Sequence, residues 1–425
     1  MTAPTHLWNR SFVIWLVASA QSQLGSALAG IALSFLVLNQ TGKAGAMAIT
    51  LACSIGPNLL MPLAGAWVDR LPLKVPLIAA DLLRGALQLT VALLALRLDH
   101  LNSGHLPLWI INLTALLGGL AGIFAGPATS AAFLQLVPGD QLSRANGLSG
   151  GVSQGAWLLG TLAGGVLVAR LGPPFAILID GVSFLMMAAL LPLVRLPGRD
   201  TPEGPRSSLL ADLGAGLRLM RRSRVLSFVP LIGLVLNGAI MLTVVVTPKL
   251  MERLGPGAEG YSVFLALDSL GAMLGGALIA TLGDRLPARL ATSAGLLGCG
   301  LLYLLIARFP VYPALLGTSL LLGFCFMLLN APLNSLMQSM VPAAFLGRVF
   351  SVLSTVSSIG APVTLLLVSP VLDRYPAGLF YTLAGTLMLA GCVAWMLVAR
   401  SEPVPPDLHA QAPGDPLDRS VLKAG

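Results

Sequence analysis

The feature that most constrains this chain is a succession of long apolar stretches that contain almost no charged residues. A helix needs roughly 20 apolar residues to cross a membrane. Hydrophobic residues make up 56% of the 425 residues and charged residues only 10%, whereas about a quarter of the residues of a soluble protein are charged. The twelve stretches lie at about residues 12–38, 45–68, 75–96, 106–130, 143–169, 174–194, 225–248, 260–282, 289–307, 312–336, 344–370 and 376–399. The sequence therefore predicts an all-α membrane protein with twelve transmembrane helices.

The composition excludes several other classes of protein. The net charge is +8, but the basic residues are scattered between apolar stretches rather than gathered with aromatic residues, so no nucleic-acid partner is expected. The four cysteines fall inside apolar stretches and form no C-x-x-C pair, so neither a disulfide framework nor a metal site is expected. The chain has no G-x4-GK[ST] phosphate loop and no H-E-x-x-H motif. We therefore expect neither an enzyme with catalytic residues nor a cofactor.

The distribution of lysine and arginine predicts the orientation in the membrane. If the N-terminus is cytoplasmic, the cytoplasmic segments hold seventeen of these residues and the opposite side holds seven, with Arg84 inside a predicted span. Cytoplasmic loops of membrane proteins carry the excess of Lys and Arg. We therefore expect a multi-pass protein of the plasma (inner) membrane with both termini in the cytoplasm.

The longest break between apolar stretches divides the chain into two nearly equal parts. We expect an N-terminal six-helix bundle over residues 1–194, a cytoplasmic linker over 195–224, a C-terminal six-helix bundle over 225–400 and a disordered cytoplasmic tail over 401–425. A basic run in the linker predicts a surface helix over about residues 207–222. Its arginines either meet anionic lipid head groups or form a regulatory site.

The two parts repeat each other in order. An Asp-Arg pair follows the second and the eighth apolar stretch, and a Pro-x5-Arg element follows the fourth and the tenth. These elements are Asp69-Arg70 and Asp284-Arg285, and Pro138 to Arg144 and Pro342 to Arg348. Two parallel six-helix repeats predict a substrate site between the halves near the middle of the membrane, used by alternating access.

The segment between the second and third stretches resembles the signature of the major facilitator superfamily. It reads Gly65-x3-Asp69-Arg70-x-Pro72-x-Lys74, with Pro72 where the signature has a second glycine. The resemblance extends over nearly all of the chain and implies the major facilitator fold, in which spans one, four, seven and ten line the cavity. It also implies that span two packs against span eleven and span eight against span five.

The fifth stretch is similar to the antiporter signature of exporters in the same superfamily. Its small residues are Gly147, Ala156, Gly160, Thr161, Gly164 and Gly165, with Ala156 and Thr161 in place of Gly and Pro. Because small residues let helices approach closely, Gly160, Gly164 and Gly165 are expected to pack against other helices, with or without a role in sealing a proton leak. Four further segments are most similar to the macrolide-efflux and enterobactin-exporter branch. They are Trp8 to Phe12, Asp81 to Arg84, Val137 to Gly147 and Gly347 to Phe350.

Charged residues at the cytoplasmic ends of the spans form a candidate conformational latch. We hypothesise that Asp69 engages the N-terminus of span eleven beside Arg348, and that Asp284 engages the N-terminus of span five beside Arg144. A carboxylate near a helix N-terminus gains about 0.3–1 kcal/mol from the helix dipole. The whole predicted latch set is Gly65, Asp69, Arg70, Lys74, Arg144, Asp284, Arg285 and Arg348. The alternative is that these charges only set the topology.

Charged residues inside the predicted spans are candidates for proton coupling, because a charge in the membrane interior is costly. Asp81 and Arg84 lie three positions apart on one helical face, where a structural pair is the alternative. For Asp180, in the outer part of span six, the alternative is a hydrogen bond between helices. Asp268 lies about 12 Å into span eight with no basic residue within four positions, and a neutral structural Asp is the alternative there. Span four has no charge over residues 107–127, so it lacks the membrane arginine of proton-coupled drug exporters in the superfamily.

Uncharged polar residues and two large apolar ones are the candidates for the substrate cavity. They are Gln21, Gln23, Asn112, Asn237, Asn330 and Asn334, together with Trp157 and Met327. An amide-lined cavity with aromatic and Met contacts suits a bulky or amphiphilic organic ligand better than a strongly charged one. Each amide could instead hydrogen-bond to a neighbouring helix.

Together these features predict a secondary active transporter that exports a bulky or amphiphilic organic compound by proton antiport. The expected partners are a small-molecule substrate, protons and membrane lipids, and we expect a monomer. Within transport, the alternative is uptake of a solute or movement of a lipid such as a lysophospholipid. A non-transporting membrane scaffold or receptor with the same fold is the alternative from another class.

Overall fold

A computed structural model describes residues 6–68, 71–101, 104–196, 217–218, 220–221, 223–341 and 346–401. In this part of the chain, α-helices alternate with short turns and 3-10 helices, and there is no strand. The helices are α1 (Arg10–Thr41), α2 (Ala44–Ile55), α3 (Met61–Val68), α4 (Lys74–Leu101), α5 (Leu108–Leu136), α6 (Leu142–Leu171), α7 (Pro173–Leu190), α8 (Arg224–Leu254), α9 (Gly257–Leu282), α10 (Ala288–Arg308), α11 (Tyr312–Met340), α12 (Leu346–Val368) and α13 (Ala377–Ser401). The predicted C-terminal tail and most of the predicted linker, including its surface helix, lie outside the described residues.

The helices confirm an all-helical membrane protein. Among the described residues, ten helices are long and apolar enough to cross a membrane, and two further apolar helices, Ala44–Leu60 and Val352–Val368, are shorter. These two fall on the predicted second and eleventh spans. The chain has twelve spans only if both of these shorter helices also cross the membrane.

The predicted second span, residues 45–68, is not one continuous α-helix. It consists of α2, a 3-10 helix over Gly56–Leu60, and α3. Pro57 has no N–H to donate, and its ring would clash with the carbonyl four residues earlier in an α-helix. The proline therefore interrupts the α-helix near the middle of this span.

Asn9 and Gly42 fix the two ends of α1. Asn9 caps the helix, because its side-chain oxygen accepts a hydrogen bond from the Phe12 N–H at 2.9 Å. The same side chain donates from Nδ2 to the Leu136 carbonyl at 2.9 Å, which attaches the start of α1 to the end of α5. At the other end Gly42 adopts a left-handed conformation with φ 62°, which favours glycine. The chain then turns back into α2.

Contacts divide the helices into two groups. In the first group, α1 packs against α6 and α7, and α4 packs against α5 and α7. In the second group, α9 packs against α11, α8 against α12, and α10 against α11 and α13. Between the groups, α6 packs against α9 and α2 against α12. These two contacts correspond to span five with eight and span two with eleven.

The helices run alternately in opposite directions, so the bundle has two ends. We call the end that holds the start of α1 and the end of α13 the proximal end, and the opposite one the distal end. Near the distal end, Phe35 of the first group and Tyr261 of the second pack with ring centroids 6.1 Å apart. A core cluster at the proximal end includes Phe12, Trp15 and Leu136, and among the described residues it draws on the first group alone. The two groups therefore meet chiefly toward the distal end.

The outer faces of the helices are apolar and exposed. Leucines and valines on the outside of most helices, such as Leu159 and Leu367, are more than half exposed. A soluble protein does not expose so much contiguous apolar surface. Trp8 and Trp67 are exposed toward the proximal end and Trp109 toward the distal end, as expected for side chains at the two membrane–water interfaces.

Glycines of α6 lie where this helix meets two others. A Cβ at Gly160 would lie 2.5 Å from the Leu24 carbonyl oxygen, and one at Gly164 would lie 3.1 Å from Leu28 Cα, both on α1. Gly165 instead faces Ser262 of α9, in the other group. α6 can thus approach α1 and α9 closely because glycine has no side chain at these three positions.

Gly160→Val should destabilise the fold, whereas Gly155→Val on the same helix should not. A Cβ at Gly155 meets nothing within 4 Å, so the two variants share the cost of a β-branched residue and differ only in the clash. We expect Gly160→Val to lower the free energy of unfolding by about 1–3 kcal/mol. Unfolding in detergent micelles measures both variants, and equal effects would contradict the packing described here.

Candidate functional site

A cavity of about 280 Å³ lies in the second group, between α8, α11 and α12. It occupies the proximal half of these helices and has a volume close to the lower limit, about 300 Å³, of small-molecule sites. Its polar lining residues are Asn237, Asn330, Asn334, Ser354 and Ser357, and its aromatic ones are Phe326 and Phe350. The remaining lining residues are aliphatic side chains, Met337 and Gly233, and none of the lining residues is charged.

Two of the cavity amides are held by their own helices. Asn237 Nδ2 donates to the Gly233 carbonyl at 2.8 Å, and Asn330 Nδ2 donates to the Phe326 carbonyl at 2.9 Å. Each bond fixes the amide plane and leaves the side-chain oxygen without a donor among the described residues. The cavity therefore presents fixed hydrogen-bond acceptors on an otherwise apolar wall.

Of the eight predicted cavity residues, Asn237, Asn330 and Asn334 line this cavity and the other five lie elsewhere. Gln21 donates from Nε2 to the Ser183 carbonyl at 2.9 Å, which links α1 to α7. Asn112 accepts a hydrogen bond from the Thr50 hydroxyl at 2.6 Å, which links α5 to α2. Met327 packs against the glycines of α9, 3.3 Å from the position of a Cβ on Gly276. The remaining two, Gln23 and Trp157, are exposed on α1 and α6.

α12 also lines this cavity, although no residue of this helix was predicted there. Ser354 and Ser357 of α12 and Met337 of α11 line it. A helical spacing gives the signal for one of them, because Asn330, Asn334 and Met337 recur at intervals of four and three residues on one face. The serines gave no such signal, since small polar residues are common in membrane helices that pack closely.

Asp180 is the centre of a buried hydrogen-bond network in the first group. Its side chain is 1% exposed and accepts hydrogen bonds from Gln88 Nε2 at 2.9 Å and from Ser26 Oγ at 3.3 Å. Ser183, on the same helix, donates to the Asp180 carbonyl at 2.8 Å. The network joins α1, α4 and α7, so the carboxylate of Asp180 is satisfied by contacts between helices.

Arg84 does not form the direct ion pair with Asp81 that its spacing allows. Its guanidinium carbon lies 4.0 Å from the centroid of the Phe184 ring. Among the described residues the only ion pair within 4.0 Å is elsewhere, between Lys249 and Asp373. Arg84 instead interacts electrostatically with Asp180 and Asp81 over longer distances. The aromatic face of Phe184 and the two nearby carboxylates stabilise this half-buried charge.

Asp268 lies closer to the middle of its helix than the sequence suggests. α9 begins at Gly257, so Asp268 is eleven residues, or about 16 Å, from the distal end of the helix. No hydrogen bond or ion pair to its carboxylate occurs within the described residues. A Cβ at Gly323 would collide with the Asp268 backbone carbonyl, so α9 and α11 make one of their closest approaches here.

Hydroxyl groups cluster on the distal side of Asp268. Tyr261 and Tyr303 both interact electrostatically with Asp268. Tyr381 lies 2.6 Å from the Thr247 hydroxyl, within hydrogen-bonding distance, and its ring centroid is 6.1 Å from that of Tyr303. All three tyrosines are buried. Asp268 is thus a half-buried carboxylate that interacts electrostatically with two of these buried tyrosines in the second group.

The structure places only part of the predicted latch. Lys74 donates from Nζ to the Pro192 carbonyl at 3.2 Å, and Arg144 and Arg285 are exposed. Gly65 lies within α3, which packs against α5 of its own group. Asp69 and Arg70 lie outside the described residues, as do the side chains of Asp284 and Arg348.

Two groups of apolar helices that meet at one end of the bundle, with an uncharged cavity toward the other, define a membrane transport protein. Residues 15–365 match the sequence profile of the Major Facilitator Superfamily. The chain therefore belongs to that superfamily, which confirms the resemblance given by the segment between spans two and three. It is accordingly a multi-pass transporter of the cell membrane.

Two relatives of the chain are named as efflux proteins. The chain is 27% identical over 425 residues to the multidrug efflux pump Tap of Mycobacterium tuberculosis. The alignment covers 96% of this chain and 97% of that protein. It is 22% identical over 394 residues to macrolide efflux protein A of Streptococcus pyogenes, with 91% and 95% covered. The similarity to macrolide-efflux proteins predicted from the sequence is confirmed.

Solved structures share the fold. The nucleoside transporter NupG has a TM-score of 0.74 and 9% identity, with 93% of this chain and all of that chain covered. A bacterial homologue of the iron transporter ferroportin in an inward-facing state has a TM-score of 0.72 and 15% identity, with 92% and 98% covered. At these identities the likeness concerns the fold alone.

The contacts of Asp180 and Asp268 predict different effects of substitution on the free energy of unfolding. Asp180→Leu leaves the half-buried donors of Gln88 and Ser26 without their acceptor, so we expect the free energy of unfolding to fall by about 1–3 kcal/mol. Asp268→Asn removes no hydrogen bond and should leave stability unchanged. Unfolding of both purified variants in detergent measures this difference, which would be absent if both carboxylates were structural.

Proposed function

We propose that this chain is a secondary active transporter that exports a bulky or amphiphilic organic compound in exchange for protons. The observation that carries the proposal is the cavity between α8, α11 and α12, which is uncharged, has aromatic and Met walls, and presents fixed amide oxygens. The efflux names of the Mycobacterium and Streptococcus relatives support the direction of transport.

The proposed substrate has hydrogen-bond donors on an apolar body. The oxygens of Asn237 and Asn330 are acceptors, and a hydroxyl or ammonium group of a ligand matches them, while the aliphatic and aromatic walls match its body. A strongly anionic substrate would find no cation on this wall to pair with. Macrolides and lipophilic cationic dyes have this chemistry.

We further propose that the chain crosses the membrane twelve times, in two six-helix repeats with both termini in the cytoplasm. The two shorter apolar helices then cross as spans two and eleven, and the proximal end is the cytoplasmic end. The excess of Lys and Arg at that end supports this orientation. With contacts between the groups concentrated at the distal end, the described state faces the cytoplasm. The cavity is then placed to take up substrate from the cytoplasm or the inner leaflet, as a monomer surrounded by lipid.

Asp268 is the proposed coupling residue. It lies near the middle of a span, and its carboxylate has no hydrogen bond or ion pair among the described residues, so its charge is costly there and a proton stabilises it. Asp180, which accepts hydrogen bonds from two other helices, is in contrast part of the frame of the first group. Asp81 and Arg84 remain the second candidates, since they interact electrostatically without a direct pair.

The test is the accumulation of lipophilic dyes and macrolides in an efflux-deficient bacterium that expresses the chain, with and without a protonophore. We expect lower accumulation than in cells without the chain, and reversal by the protonophore. Asp268→Asn should abolish this export, because the side chain no longer binds and releases a proton, while the purified variant should still bind the dye. Asp268→Glu should retain part of the export.

Asp99→Asn is the matched control, because Asp99 is an exposed carboxylate at the distal end of α4. Export that survives Asp268→Asn, or that survives the protonophore, would contradict proton coupling at this residue. Unchanged accumulation across the whole panel would exclude multidrug export and direct the search to solute uptake or lipid movement.

We also propose that the charged residues at the cytoplasmic ends act as a latch that closes the cytoplasmic side during the cycle. In the described state α3 packs within its own group, so a latch between span two and span eleven would form only in the opposite, outward-facing state. Asp69 and Asp284 are the proposed carboxylates, opposite the starts of spans eleven and five.

Asp69→Asn combined with Asp284→Asn should reduce export strongly, with each single variant intermediate. The reason is that the outward-facing state loses both of its helix-terminus contacts, so fewer molecules complete the cycle. The same accumulation assay measures this, with membrane expression checked by immunoblot. Wild-type export by the double variant would overturn the latch hypothesis and leave topology as the role of these charges.

A further inference from the structure

One carboxylate forms hydrogen bonds between the two groups at the distal end. Asp373, in the turn between α12 and α13 of the second group, accepts hydrogen bonds from the backbone N–H groups of Ala44 and Gly45 at 2.9 and 3.0 Å. These residues begin α2, which belongs to the first group. The same carboxylate forms an ion pair with Lys249 of α8. Asp373 thus caps a helix of the opposite group while an ammonium group of its own group holds it.

α2 has no cap within its own group. The residue at its N-cap position is Lys43, whose side chain makes no capping hydrogen bond and has no acceptor atom to offer. The first N–H groups of a helix need an acceptor from elsewhere. Asp373 supplies it, so the start of α2 keeps this acceptor within the protein while the two groups are in contact at this end.

The backbone approach at this contact is also specific. A Cβ at Gly45 would collide with the carbonyl oxygen of Ser369 in the other group. Leu372, next to Asp373, is buried, and backbone hydrogen bonds from Leu372 and Arg374 back to Val368 and Val371 hold the turn in shape. The carboxylate is therefore held in position against α2 rather than carried on a free loop.

The charges around Asp373 keep it ionised. Burial alone would raise the pKa of Asp373, but the hydrogen bonds from Lys249, Gly45 and Ala44, together with the Lys249 charge, outweigh this and hold the pKa below its usual value. The other charged residues near this contact are Arg253 and Glu252 on α8, Lys43 before α2 and Arg374 in the same turn, so basic residues outnumber acidic ones there. Because the pKa is lowered, the ionised carboxylate stabilises the contact fully at pH values above the usual Asp pKa of about 3.9. This stabilisation is lost only as the pH falls through the lowered pKa.

We propose that Asp373, held by Lys249, is the residue that keeps the distal gate of the transport cycle closed by capping α2 across the two groups. This inference rests on the proposed function in one respect, that the transporter alternates between two states. When the distal end opens, Ala44 and Gly45 lose their acceptor and Asp373 loses its two N–H donors. Opening at this end then depends on events elsewhere, such as substrate binding, and not on protonation of Asp373.

Spin-label distances measure the gate without any substrate. In a background with the four cysteines replaced by alanine, one label pair at His105→Cys and Val311→Cys reports the distal end. Both positions are exposed, and they lie in the first and second group. A second pair at Leu71→Cys and Leu290→Cys reports the proximal end. Pulsed electron paramagnetic resonance gives the populations with short and long distances.

Asp373→Ala should raise the ratio of open to closed distal ends by roughly 5- to 30-fold, the effect of losing contacts of ordinary strength. The proximal distance should shorten at the same time. Asp373→Asn should have a smaller effect, because the amide oxygen still accepts one N–H. Glu252→Gln is the matched control, since it removes an exposed carboxylate of α8 at the same end and should change nothing. The wild-type distances should be the same at pH 5.5 and pH 8.

A charge swap separates capping from simple ion pairing. Lys249→Asp with Asp373→Lys restores an ion pair but places an ammonium group against the N-terminus of α2, so the distal end should remain open. Closure restored by the swap, or Asp373→Ala distances equal to those of Glu252→Gln, would overturn the proposal. If Asp373→Ala does not fold, Asp373→Asn carries the test.

The two proposals can fail separately. If the wild-type chain exports nothing from cells but the distal distance still responds to Asp373→Ala, the export proposal fails and the gate stands. If export is normal and Asp373→Ala leaves the distances unchanged, the gate proposal fails and export stands.

Discussion

The absence of water in the core of a bilayer is the constraint on which the rest of this structure depends. Backbone N–H and C=O groups in hydrocarbon must be satisfied within the protein, so the chain folds into helices whose hydrogen bonds are internal. Helix ends are the exceptions, because their terminal groups have no partner within the helix. Asn9 solves this at the start of α1 with its own side chain, and Asp373 solves it at the start of α2 from the opposite group.

Glycine determines how the helices then assemble. Within the second group, backbones meet directly where α8 passes Gly360 of α12 and where α9 passes Gly323 of α11. In the first group Gly160 does the same for α1 and α6. Such contacts have no flexible side chain to rearrange, so we expect each group to move as a unit. Between the groups the close contacts are few and lie near the distal end, at Gly45 and Gly165. A protein built in this way bends most easily between its two groups.

Most of the fold could be predicted from the sequence, because membrane helices are specified by length and apolarity alone. The same rule could not show that the second span is interrupted, since Pro57 lies in an apolar stretch and its effect depends on backbone geometry. For the site, the sequence identified polar residues in spans but not their partners. Gln21 and Asn112 bind neighbouring helices, whereas Asn237 and Asn330 face a cavity, and only packing distinguishes the two outcomes. Asp373 was missed because it lies in a turn, where an acidic residue is ordinary.

The arrangement of the second group indicates how substrate and proton can influence each other. The backbone of Asp268 touches α11 at Gly323, and Asn330 lies seven residues further along the same helix, about 10 Å away. α11 therefore contacts the proposed coupling residue at Gly323 and lines the cavity about two helical turns further on, at Asn330. A change in charge at Asp268 alters the cost of keeping that side chain in the apolar interior, and any resulting shift of α9 against α11 reaches the cavity through a rigid helix. In the first group, by contrast, Asp180 is tied to α1 and α4 by hydrogen bonds. The first group is thus tied together by hydrogen bonds around Asp180, whereas the second group carries both the proposed coupling residue and the cavity.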